Sequence, residues 1–224
     1  MATAVLPCIE LESGPSPSAT VIVLHGLGAD GNDFVPIVEE LDLPEALPVR
    51  FVFPHAPVRR VTINGGYAMR AWYDIAEADL SNRADLAGVR QSRAELEELV
   101  RREQSRGIDA KRIILAGFSQ GGAIALYTAL RYPERIAGVI ALSTYLIDGA
   151  SLKAEASEAN KDVPIFMAHG TQDTVVRLQW ADQSRKLLQS MNYPVEWHTY
   201  AMPHSVVKEE IAAIGEFVVR VLKG

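Results

Sequence analysis

Gly117-Phe118-Ser119-Gln120-Gly121 lies between a strand-like run, Arg112 to Phe118, and a helix-like run, Gln120 to about Arg131. A chain reversing that sharply has no room for side chains two positions either side of the serine, whose own backbone is strained. In this setting G-x-S-x-G lifts a hydroxyl above the end of a sheet. It also aims the Gln120 N–H, at a helix N-terminus, toward the charge that develops on an attacked carbonyl. The chemistry served is nucleophilic attack on a carbonyl carbon. The plainer alternative, a solvated serine in a glycine-rich turn, requires no partner residues elsewhere.

Partners are present. A serine hydroxyl is a poor nucleophile until a base takes its proton, and the base must be held in one tautomer by a third group. Asp173 follows the strand-like run at 164–168, and His204 follows the run Val195 to Tyr200. Both sit where strands end, and the chain order Ser119, Asp173, His204 is the one this type of turn requires. The other histidines suit structural roles: His198 inside a strand, His55 in a proline-rich turn, His169 just before Gly170, and His25 closing the first buried strand. Among rival acids, Asp162 precedes its strand and Asp182 lies in a helix, whereas Asp148 follows a strand and remains an alternative. The loop His25-Gly26-Leu27-Gly28-Ala29-Asp30-Gly31 is the expected source of a second oxyanion donor, since its spacing is not that of a dinucleotide loop.

The elements that must position these residues alternate. Apolar runs at Val21–His25, Val49–Phe53, Arg112–Phe118, Ala137–Leu142, 164–168 and Val195–Tyr200 read as strands too uniformly apolar for a one-sided sheet. Helical periodicity at 84–106, 120–131 and 178–191 separates them. A final helix is expected after Ser205 as N-cap, with Val207, Ile211, Ile214, Val218 and Val221 forming its buried stripe. This predicts an α/β fold with a mostly parallel sheet covered on both faces, one domain over residues 1–224, and no separate cap domain. The long connection from Pro54 to about residue 84 is expected to carry a small hairpin around Asn64-Gly65 and to fold over one end of the sheet.

The totals exclude other classes. With 22 basic and 28 acidic residues the formal charge is −6, which disfavours a nucleic-acid partner or an anionic membrane surface. No run is apolar enough for membrane insertion, the first residues do not resemble a secretory signal, and the lone Cys8 suits the cytoplasm. No metal-ligand spacing occurs, and the chemistry calls for no cofactor.

Taken together, Leu24-His25-Gly26-Leu27-Gly28, Pro54-His55-Ala56-Pro57, Asn64-Gly65-Gly66, Trp72-Tyr73-Asp74, the Ser119 turn, His169-Gly170 with Asp173, and His204-Ser205 resemble the phospholipase/carboxylesterase family of α/β-hydrolases, which includes the acyl-protein thioesterases. The resemblance covers nearly the whole chain. It implies serine-dependent hydrolysis of esters or thioesters through the triad Ser119, Asp173 and His204, with amide donors at Leu27 and Gln120. It further implies an acyl groove near Trp72, Ile75 and Val176, an ester substrate that is a small molecule or an acylated protein, and a monomer or homodimer. Two departures stand out: Arg177 where the family commonly has proline, and Thr144 within Ser143-Thr144-Tyr145-Leu146-Ile147. Both are expected at the groove rim, away from the triad. The rival readings are a non-catalytic binder of a small hydrophobic ligand and a dienelactone-type hydrolase.

Overall fold

The computed structural model describes residues 5–77 and 85–223. Nine strands and six helices follow one another: β1 Cys8–Glu12, β2 Ala19–Leu24, α1 Ile37–Glu40, β3 Val49–Pro54, β4 Val58–Val61, β5 Tyr67–Arg70, α2 Leu86–Ser105, β6 Ile113–Phe118, α3 Gln120–Ala129, β7 Gly138–Leu142, α4 Gly149–Glu155, β8 Ile165–Gly170, α5 Leu178–Ser190, β9 Val195–Tyr200 and α6 Lys208–Lys223, all among the described residues. Seven strands form one sheet in the order β1-β3-β2-β6-β7-β8-β9, parallel except for β1. This is the α/β-hydrolase fold expected from the alternation of elements.

The central strands β2, β3, β6, β7 and β8 are buried almost throughout because both faces are covered. On one face Leu96 and Leu99 of α2, Ile124, Leu126 and Tyr127 of α3, Leu152 of α4 and Leu188 of α5 pack together; on the other lie Leu41 beside α1 and Ile211, Ile214 and Val218 of α6. Each face of the sheet therefore has its own core.

Three details differ from expectation. The antiparallel edge strand β1 was not foreseen, because Glu10 and Glu12 interrupt its apolar pattern; pairing with β3 makes it a strand. The last helix begins at Lys208 rather than directly after Ser205: its first bond runs from the Ile211 N–H to the Val207 carbonyl, which makes Val207 the capping position, while Ser205 lies in a preceding turn closed by its N–H and the Pro203 carbonyl. The hairpin β4–β5 starts earlier than expected and turns through a 3-10 segment at Thr62–Asn64, with Gly65 left-handed. It does fold over the sheet end: the Gly28 N–H donates to the Arg70 carbonyl at 2.9 Å. Residues 78–84, the end of that connection, lie outside the described residues.

Candidate active site

Strand order decides which loops become neighbours. β2 and β6 pair directly, so the loop from His25 onward meets the Ser119 turn; β8 and β9 pair directly, so the segments bearing Asp173 and His204 emerge side by side. All lie at the C-terminal edge of the parallel strands, the usual location of sites in such sheets.

Ser119 has φ 53° and ψ −120°, a conformation that costs a non-glycine residue on the order of 1–3 kcal/mol. The turn closes because a Cβ at Gly117 would overlap the backbone of Gly121, and one at Gly121 would overlap the Leu24 carbonyl. The strained backbone is held from both sides. Its N–H donates to the Leu142 carbonyl at 2.8 Å, and its carbonyl accepts from the Ala123 N–H at 3.1 Å and the Thr144 hydroxyl at 2.6 Å.

Thr144 therefore corrects the sequence reading. It is buried beneath the nucleophile turn rather than at a groove rim, and it touches the backbone of Ser119 itself. The reason is topological: β7 lies beside β6, so the residues that follow Leu142 run under the turn. Arg177 does lie at the surface, capping α5 with its guanidinium 5.6 Å from the Trp180 ring.

His204 Nδ1–H donates to Asp173 Oδ2 at 2.6 Å, which leaves Nε2 of the neutral ring as the basic nitrogen. Asp173 Oδ1 accepts from the Val175 and Val176 N–H groups at 2.8 and 2.9 Å, so the carboxylate cannot rotate away. The rival Asp148 instead accepts from Ser151 at the start of α4. The two loops are stitched together by Thr171 N–H to the Tyr200 carbonyl and Gln172 N–H to the Met202 carbonyl. Gly170 permits this closeness, for a Cβ there would overlap the Met202 carbonyl oxygen. The His204 ring packs against Phe118, the residue before Ser119, with centroids 4.7 Å apart. The Ser119 hydroxyl has no hydrogen-bond partner among the described residues, a common state before substrate tightens a site.

Two histidines brace this arrangement. His25 Nε2 accepts from the Ala56 N–H at 3.1 Å, which places its proton on Nδ1 for the Gly26 carbonyl at 2.7 Å. Burial holds its pKa below the ordinary 6.5, with the bond to Gly26 offsetting part of the shift. His169, fully buried, donates from Nε2 to the Val176 carbonyl at 2.8 Å, and burial likewise lowers its pKa.

Leu27 and Gln120 line one cavity with Ser119, of about 240 Å³, together with Ile63, Asn64, Tyr73, Ile75, Tyr145, Val175 and Val176. Among the described residues neither the Leu27 nor the Gln120 N–H has a hydrogen-bond partner. Of the three residues expected at an acyl groove, Ile75 and Val176 are among those lining residues. Trp72 is not: it is 1 % exposed, and its indole N–H donates to the His25 carbonyl at 2.9 Å. The Gln120 side chain clamps this segment, accepting from the Trp72 N–H at 2.7 Å and donating to the Tyr73 carbonyl at 2.8 Å. Tyr73 and Tyr145 line the cavity without any signal of that role in the sequence beyond their place in Trp72-Tyr73-Asp74 and Ser143-Thr144-Tyr145. Among the described residues no cluster of His, Cys, Asp or Glu could hold a metal, and no helix is long and apolar enough to cross a membrane.

Residues 7–222 match the phospholipase/carboxylesterase family. The chain belongs to that family. It is 42% identical over 212 residues to acyl-protein thioesterase 1 of Neurospora crassa, covering 90% of this chain and 86% of that one. With acyl-protein thioesterase 1 of Mycosarcoma maydis it shares 38% identity over 96% of this chain and 95% of the relative. Among solved structures it is similar to Zea mays acyl-protein thioesterase 2, with TM-score 0.81, 28% identity, and coverage of 96% and 99%. It is also similar to Arabidopsis thaliana SOBER1, with TM-score 0.85, 27% identity, and coverage of 91% and 99%. Hydrolysis of ester or thioester bonds is the activity of this family, as the sequence resemblance implied.

Proposed function

We propose that this hydrolase works through Ser119 as nucleophile, His204 as general base and Asp173 as the group that orients the base, with Leu27 and Gln120 N–H groups receiving the oxyanion. The observation that carries the reading is the 2.6 Å bond from His204 Nδ1 to an Asp173 carboxylate whose other oxygen is pinned by two amides. That geometry leaves Nε2 as the one basic nitrogen of the ring.

Ser119 Oγ forms a bond to the acyl carbon while its proton passes to His204 Nε2 and the carbonyl electron pair moves to oxygen. Collapse of this intermediate breaks the C–O or C–S bond, and the alcohol or thiol leaves with the proton from His204. Water then attacks the acyl-enzyme, gives its proton to the same nitrogen, and frees the carboxylic acid and Ser119. No step needs an oxidant, a metal or a cofactor.

The apolar lining by Ile63, Ile75, Val175 and Val176 suits an acyl chain. Relatives named acyl-protein thioesterases favour thioesters on acylated proteins as one substrate class. We further read the chain as one domain over residues 1–224 on the strength of its length, as a monomer or homodimer by its resemblance to the family, and as acting in the cytoplasm on the strength of its lone cysteine. Fluorophosphonate labelling tests the mechanism. The adduct is expected on Ser119, and Ser119→Ala is expected to lose on the order of 10³-fold or more in kcat on a short nitrophenyl ester. Near-native turnover by that variant would refute it.

A further inference from the structure

The cavity beside Ser119 and a second groove have one wall in common. Tyr145 lines the first, and it also lines a groove of about 200 Å³ between α4 and α5 formed by Leu146, Ala150, Trp180 and Leu187 together with the polar Gln183 and Ser184. The Tyr145 hydroxyl lies 2.7 Å from that of Tyr73, both rings are buried, and as neutral phenols one donates to the other. Burial raises the pKa of both, that of Tyr145 to about 12, which keeps the pair protonated well above neutral pH. Swinging Tyr145 aside would strand two buried hydroxyls, which makes the ring a fixed partition rather than a mobile one.

We propose that the hydrogen-bonded Tyr73 and Tyr145 set the acyl-chain length this enzyme takes, with the chain stopping at the Tyr145 ring and the groove behind it closed off. The inference rests on the Ser119 acyl-enzyme proposed above: an acyl group on Ser119 runs past Ile75 and Val176, which share its cavity, and meets Tyr145. The groove beyond is walled by Leu146, Trp180 and Leu187, so it would accept further methylenes if the ring were absent.

The test is kcat/KM for straight-chain nitrophenyl esters from four to sixteen carbons. The native enzyme should climb with chain length and then break. Tyr145→Ala should move the break several methylenes further, each newly buried one gaining about fourfold in kcat/KM. Ala150→Trp, at an exposed position lining the groove, should leave the native profile unchanged and cancel the gain when combined with Tyr145→Ala. If alanine at 145 prevents folding, Tyr145→Leu carries the same expectation with a smaller displacement. An unmoved break in a folded variant, or native kcat/KM still climbing at sixteen carbons, overturns the partition. A native protein that neither takes the fluorophosphonate label nor turns over any ester overturns the Ser119 reading instead.

Discussion

Glu210 lies in the first turn of α6, directly after the segment that carries His204, and it is fully buried. Among the described residues neither of its oxygens has a hydrogen-bond partner, and the nearby Val207 backbone favours the charged form only enough to offset part of the effect of burial. Burial pushes its pKa from 4.5 up to about 7. An acid that holds its proton more tightly when folded loses stability as pH rises. Below 4.5 folded and unfolded chains are both protonated and no penalty exists; between 4.5 and about 7 only the unfolded chain ionises, and the penalty grows until it levels off. At 1.36 kcal/mol per pH unit, that gap is worth about 3 kcal/mol, an order-of-magnitude upper value. Glu210→Gln copies the protonated acid and should remove the penalty. Urea unfolding of both proteins at pH 4, 5, 6, 7 and 8 would show a difference near zero at pH 4 that grows in favour of the variant. By pH 8 it should correspond to a Tm rise of several degrees for a chain of this size. A stability difference that is constant across the series would refute the reasoning, because an uncharged origin has no pH slope.

Gly170→Ala should push the Met202 carbonyl, and with it the His204 loop, out of register; kcat should fall by about 10²-fold, read by steady-state turnover and by slower fluorophosphonate labelling. Thr144→Val removes one of two donors to the Ser119 carbonyl while nearly keeping volume, and should cost about 1–2 kcal/mol in a denaturant titration along with a several-fold loss of kcat. For His25, whose folded pKa lies below 6.5, the neutral ring's stabilising bonds are fully present above about pH 6.5 and are lost as pH falls through the depressed value. In the Glu210→Gln background, unfolding free energy should therefore decline from pH 7 to pH 5, and a rise would contradict the assignment.

Much of this protein was legible from local signals. The glycines at 117 and 121 around Ser119 are dictated by the steric demands of a strand-to-helix reversal, and uninterrupted apolar runs mark strands buried on both faces. Asp173 and His204 could be selected because each follows a strand, which is a property of chain order alone. What tertiary structure decided are contacts between segments distant in sequence. Thr144 became the support of Ser119 because β7 pairs with β6, and Trp72 was withdrawn from the cavity because its indole N–H found the His25 carbonyl. No periodicity encodes such pairings: side-chain hydrogen bonds across elements depend on strand order and packing distance, which emerge only once the whole sheet has closed.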